Sequence, residues 1–127
     1  MQHNQNYHSL KKIYHLSSCN TCQRIINELN PDDAVQLQDI KTQAITSEQL
    51  EEMHVLSGSY EALFSKRAQL YRKQGLHEKT LQERDYKQLI LEHYTFLKRP
   101  VMLVANQIFI GNSKKVVAQA KEAFQQY

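Results

Sequence analysis

The nine residues Tyr14-His15-Leu16-Ser17-Ser18-Cys19-Asn20-Thr21-Cys22 set the architecture of this 127-residue chain. They begin inside a β-prone run over residues 13–16, which Ser17 and Ser18 end. From Cys19 onward the apolar period lengthens, because Ile25, Ile26 and Leu29 recur at helical spacing. Asn30-Pro31-Asp32-Asp33 is a strong stop and turn signal. The first unit is therefore strand, loop, helix and turn, with a Cys-x-x-Cys pair where strand gives way to helix.

Val35, Leu37 and Ile40, with polar Gln36 and Gln38 between, predict a second strand over residues 34–40. Thr46-Ser47-Glu48-Gln49 opens a helix with a hydroxyl cap and an acid in its first turn, Leu50, Met53 and Leu56 form its stripe, and Gly58 ends it. A further helix is predicted over residues 60–70, carrying Leu63, Phe64 and Arg67, with a break at Gly75. Residues 81–97 read as one long amphipathic helix, which stops ahead of Pro100 because the residue before proline resists the α region. Val101-Met102-Leu103-Val104 reads as a buried strand, Asn106-Gln107 as a turn and Ile108-Phe109-Ile110 as the returning strand. Val116, Val117, Ala120 and Phe124 form the inner face of a last helix.

The order is β-α-β, a helical block, then β-β-α. The outer pieces match an α/β, thioredoxin-like fold with a central mixed sheet of about four strands. The expected organisation is a polar tail over residues 1–10 and a single domain over 11–127. Its core spans about 11–45 and 97–127, and residues 46–96 form an all-helical insertion too well patterned for a structureless loop.

Composition narrows the function classes. Sixteen Lys and Arg against thirteen Asp and Glu leave a net charge of +3, which excludes a polybasic nucleic-acid arm. No apolar run approaches the roughly 20 residues of a membrane span, and the polar start carries no secretory signal, so a cytoplasmic protein that binds neither membrane nor nucleic acid directly is expected. Two cysteines do not make a disulfide scaffold. No exposed heptad argues for more than a monomer.

The spacing of Cys19 and Cys22 carries chemistry. Two residues between cysteines in a first helical turn bring the sulfurs within disulfide reach. A cysteine at a helix N-terminus meets unpaired N–H groups and the positive end of the dipole, which favour the nucleophilic thiolate. Cys19 is thus the candidate nucleophile, and Cys22, one turn deeper, the candidate resolving thiol. Two rival readings are open: half of a zinc site, for which His15 is the only nearby third ligand and no fourth is in view, or two buried cysteines without chemistry.

The stretch from Tyr14 to Cys22, Lys98-Arg99-Pro100-Val101, and Ala62-Leu63-Phe64-Ser65-Lys66-Arg67 with Tyr71-Arg72-Lys73 together resemble the ArsC/Spx/YffB family, the arsenate-reductase-like branch of the thioredoxin fold, over residues 11–124. The resemblance implies catalytic roles for Cys19, Cys22, Arg99, Arg67 and His15, with Ser18, Asn20, Thr21 and a cis Pro100 forming the substrate loop. Arg67 would be the insert-helix arginine, although Lys66 or Ser65 also fits the register. It implies no bound cofactor and no metal, with glutathione, thioredoxin or glutaredoxin as reductant.

Arsenate-reducing members carry a further arginine after the final strand, where this chain has Ile110-Gly111-Asn112-Ser113. That departure, with the second cysteine, favours a thiol-disulfide redox protein acting on glutathione or a redox-partner protein. The alternatives are arsenate reduction proper, a redox-inert thioredoxin-like binding module, and an Spx-like regulator that binds the C-terminal domain of the RNA polymerase alpha subunit. For the regulator, Gly58 stands near a contact glycine, though a helix cap explains Gly58 better.

Overall fold

The computed structural model describes residues 10–127; the expected tail over residues 1–10 lies outside them except for Leu10, whose carbonyl accepts from Ala105 N–H at 2.8 Å. In chain order the elements are β1 (Lys11–His15), α1 (Asn20–Leu29), β2 (Gln36–Asp39), α2 (Ser47–Ser57), α3 (Tyr60–Leu63), α4 (Gln69–Lys73), α5 (Glu83–Glu92), β3 (Val101–Val104), β4 (Gln107–Ile110) and α6 (Lys114–Gln126). Short 3₁₀ turns lie at Leu76–Glu78 and Tyr94–Phe96. The chain divides into two units: residues up to Gln43 with Arg99–Tyr127, and Ala44–Lys98.

The first unit holds the four-stranded sheet, ordered β2-β1-β3-β4. β1 and β2 are parallel, and their connection runs through α1, as a parallel pair requires. The β1–β3 and β3–β4 pairs are antiparallel. Ile13, Met102 and Phe109 are register partners across β1, β3 and β4, so they form one row on one face. Onto that row pack Ile25 and Leu29 from α1 and Val117 and Ala120 from α6, with Ile26, Val35, Val116 and Phe124 at the margin. All four residues of β3 are buried, as a continuous apolar run in a central strand should be.

The edge strand departs from expectation. β2 spans only Gln36–Asp39. Leu37 is 50% exposed, while Gln38 is 2% exposed and its Nε2 donates to the Gln43 carbonyl at 3.0 Å. Alternation in sequence suggested an apolar Leu37 facing inward between solvated glutamines. At a sheet edge with one neighbouring strand the burial is the reverse, and the buried amide is satisfied by a local carbonyl.

In the second unit α2 has the predicted start. Thr46 Oγ1 accepts from Gln49 N–H and Gln49 Oε1 accepts from Thr46 N–H, each at 3.0 Å, which closes a capping box. Gly58 terminates the helix at φ 81°, donating to the His54 carbonyl at 2.7 Å, and this left-handed backbone alone accounts for a glycine.

The helix expected over residues 60–70 is instead two short helices, α3 and α4. Phe64 between them is extended and bridges antiparallel to Leu97, flanked by Lys98 N–H to Leu63 O at 2.8 Å and Ser65 N–H to Phe96 O at 2.7 Å. Its ring stacks on Phe96 with centroids 5.1 Å apart and leans on Tyr86 at 4.9 Å. These long-range contacts override the local helical pattern. The same bridge shortens the helix expected over residues 81–97. α5 ends at Glu92, and His93 turns extended, its Nδ1 accepting from Thr95 N–H at 3.2 Å to start the next 3₁₀ turn.

The register makes a stability prediction. Ile13→Ala should cost about 2–5 kcal/mol in chemical denaturation, because it leaves a cavity under α1 and α6. Leu37→Ala, one strand over in the same register, should cost less than about 1 kcal/mol. A larger loss at Leu37 than at Ile13 would contradict this packing.

Candidate active site around Cys19

β1 ends at His15, and the chain then makes a tight turn over Leu16-Ser17-Ser18-Cys19, closed by Cys19 N–H to Leu16 O at 3.0 Å. Cys19 is the N-cap of α1, with extended backbone (φ −97°, ψ 113°), and its carbonyl accepts the first helical bond from Gln23 N–H at 3.1 Å. Cys22 therefore sits in the first turn on the buried side, since Cys22, Ile25 and Leu29 are the buried residues of α1. Cys19 is half-buried, Cys22 is fully buried, and both thiols are free.

The two thiols are driven apart electrostatically. Partial burial pushes the Cys19 thiol up, but the N–H groups of Cys22 and Thr21, the Cys22 S–H and the Arg99 guanidinium outweigh it, so its pKa lies below the ordinary value. The Cys19 sulfur makes no full capping hydrogen bond, so the N–H groups act on it as oriented dipoles at the positive end of the helix. Burial pushes Cys22 up to about 11; the neighbouring Cys19 adds to this, while Leu16 backbone and Arg99 oppose it. Of the two sulfurs the accessible one ionises first, and the buried one is the protonated donor beside it.

Arg99 is partly buried and its charge acts on both sulfurs. Its peptide bond to the buried Pro100 is cis, the isomer that the family resemblance implies. Ser18 and Asn20 are exposed in the turn and the first helical position, and Thr21 is half-buried. His15 ends β1 opposite Asp39 in the parallel register. Burial holds its pKa below the ordinary histidine value, Asp39 opposing, and Nδ1 is buried with no hydrogen-bond partner. Both features favour a neutral imidazole.

Arg67 is not on an insert helix: it is exposed in the turn between α3 and α4, in the Ala44–Lys98 unit. Lys66, its register alternative, is ion-paired with Glu61 at 2.9 Å. In the stretch after β4, Ser113 Oγ caps α6 by accepting from Val116 N–H at 3.2 Å, and Lys114 and Lys115 open that helix exposed. Among the described residues no group of three or more His, Cys, Asp or Glu is placed to hold a metal ion. No described helix is long and apolar enough to cross a membrane.

One neighbour escaped the sequence reading. The Asp39 carboxylate accepts from Ser17 N–H at 3.2 Å and from Ser17 Oγ–H, and it also accepts from Lys41 N–H at 3.2 Å. The bond from the Ser17 hydroxyl is the main reason its carboxyl lies below the usual range, with the Ser17 and Lys41 N–H groups adding to it. The Asp39-Ile40-Lys41 contact is an Asx turn, a local signal that marks Asp39 as an organised acid but does not reveal Ser17.

The thiol asymmetry predicts selective labelling. Iodoacetamide at neutral pH should alkylate Cys19 well ahead of Cys22 in the folded protein, read by peptide mass spectrometry. The pH midpoint for Cys19 should lie below that of a free cysteine, and Arg99→Gln should move it upward. Equal labelling of both thiols would contradict the asymmetry.

Against known proteins, the ArsC family model matches residues 14–120. No curated protein matches the chain. Among solved structures it is similar to an arsenate reductase from Vibrio cholerae (TM-score 0.73, 19% identity, covering 91% of this chain and 98% of that one). It is also similar to an ArsC-family-related protein from Bacteroides fragilis (0.72, 20%, 87% and 98%). A YFFB protein gives a TM-score of 0.71 at 21% identity, covering 87% and 97%. At these identities the structures speak to the fold, a four-stranded mixed sheet with the arsenate-reductase-like thioredoxin arrangement. The family match spans most of the chain, and the chain belongs to the ArsC family.

Proposed function

We propose that the protein is a thiol-disulfide redox protein in which Cys19 is the nucleophile and Cys22 the resolving thiol. The observation that carries this is the opposed state of the two sulfurs at one helix N-terminus: Cys19 accessible and below its ordinary pKa, Cys22 buried and pushed up to about 11. A nucleophile must be a thiolate and reachable, whereas a resolving thiol is best kept protonated until the first bond has formed.

In the first step the Cys19 thiolate attacks one sulfur of a substrate disulfide, forming a mixed disulfide and releasing the other sulfur as a thiolate. That step removes the negative charge that helps hold the Cys22 thiol up. Cys22 then loses its proton to solvent and attacks Cys19 Sγ. The second substrate thiolate leaves and the Cys19–Cys22 disulfide remains. The substrate gains two electrons and the protein loses two. Two glutathione molecules, or one dithiol of thioredoxin or glutaredoxin, return them. Arg99 supports Cys19 as a thiolate and offers a planar donor to a carboxylate on a glutathione-type substrate.

Arsenate is the second reading. The Arg99 charge beside a reactive thiolate favours an oxyanion ligand, while Ile110-Gly111-Asn112-Ser113 supplies no further arginine to bind it. Steady-state arsenate turnover with glutathione and glutaredoxin separates the two.

With a glutathionylated peptide as substrate, Cys19→Ser should abolish reduction. Cys22→Ser should accumulate a Cys19 mixed disulfide, detected by intact mass. Full reduction by Cys19→Ser, or no adduct in Cys22→Ser, would overturn the assignment.

A further inference from the structure

Asp39 and Ser17 stand 22 residues apart in sequence, yet Ser17 gives both of its donors to this one carboxylate. The carboxylate is itself on a fixed mount. The Asp39 backbone is held by pairing with His15 in the β1–β2 ladder, by Ile40 N–H to His15 O at 2.9 Å, and by Gln43 N–H to its own carbonyl at 2.8 Å. Ser17 is the second residue of the turn whose fourth residue is Cys19, closed by Cys19 N–H to Leu16 O at 3.0 Å. The clamp therefore joins a rigid sheet edge to an exposed turn that has no apolar side chain after Leu16 to anchor it.

We propose that Asp39 is a positioning residue for the Cys19 chemistry: by binding Ser17 it fixes the Leu16–Cys19 turn, and with it the placement of the Cys19 sulfur over the N-terminus of α1. This rests on the proposed role of Cys19 as the reactive thiol. Asp39 acts through geometry rather than through its charge. A carboxylate near a thiolate disfavours it, so charge removal alone would make Cys19 more acidic. Loosening the turn does the opposite, because the sulfur then samples positions away from the Thr21 and Cys22 N–H groups that lower its pKa. The charged or titratable groups acting on Cys19 are Cys22 and Arg99; His15, which faces Asp39, becomes less basic when the carboxylate is removed. The sign of the effect therefore separates positioning from electrostatics.

The test is the pH profile of Cys19 alkylation by iodoacetamide, with no disulfide substrate present. Asp39→Ala should slow alkylation at neutral pH about tenfold and move the midpoint upward, since alkylation follows the thiolate fraction. Ser17→Ala, which keeps the N–H donor, should slow it about threefold, and Asp39→Asn, which keeps an acceptor oxygen, should recover part of the rate. Asp32→Ala removes a carboxylate of the same unit that binds Ala34 N–H, and should leave the profile unchanged. Circular dichroism checks folding, and if Asp39→Ala fails to fold, Ser17→Ala and Asp39→Asn carry the test. An unchanged or lowered midpoint in the folded variants would overturn the proposal. Because no disulfide chemistry is read, this outcome is independent of whether Cys19 and Cys22 form a redox couple.

Discussion

The arrangement around Cys19 depends on α1 being pressed onto the sheet by Ile25 and Leu29, against the Ile13–Met102–Phe109 row. Burial of each such side chain contributes about 1.5–3 kcal/mol, more than any single dipole or charge acting on an accessible sulfur. Those contacts oblige α1 to start after only four intervening residues, and they put Cys22 on the buried side and Cys19 at its cap. The electrostatic difference between the thiols is thus a by-product of core packing. One cysteine lies under the apolar face of the helix, and the other lies where the helix has unpaired N–H groups.

Around that packing the polar groups make smaller adjustments. Arg99, next to the strand that carries Met102, brings a positive charge to both sulfurs. Asp39, at the end of the edge strand, pins the turn through Ser17. His15 is kept toward the neutral form by burial, with Asp39 opposing. His15 and Asp39 are paired with each other in the β1–β2 ladder, and Arg99 lies two residues before β3.

What could be read from sequence was short-range. The change of period at Cys19, the Thr46–Gln49 capping box, the Gly58 stop and the apolar run before Ala105 all declare themselves within a few residues. Three features did not, and each depends on a distant partner. Phe64 is extended because it pairs with Leu97, and this breaks one expected helix and shortens another. Leu37 is exposed and Gln38 buried because β2 is an edge strand, a fact of sheet order that alternation cannot convey. The Asp39–Ser17 clamp spans 22 residues and has only a local Asx turn as its trace. The break at Phe64 also puts Arg67 in a turn and not on the helix expected there.

The proposed chemistry stands or falls on whether Cys19 and Cys22 form a working redox pair. The most direct test is the fraction of intramolecular disulfide, trapped and weighed by mass spectrometry, across a series of glutathione redox buffers. A working pair gives a two-electron transition with a midpoint within or above the cytosolic glutathione range of about −320 to −220 mV. No Cys19–Cys22 disulfide even under strong oxidation would contradict it, leaving Cys22 a structural thiol and Cys19 to act alone.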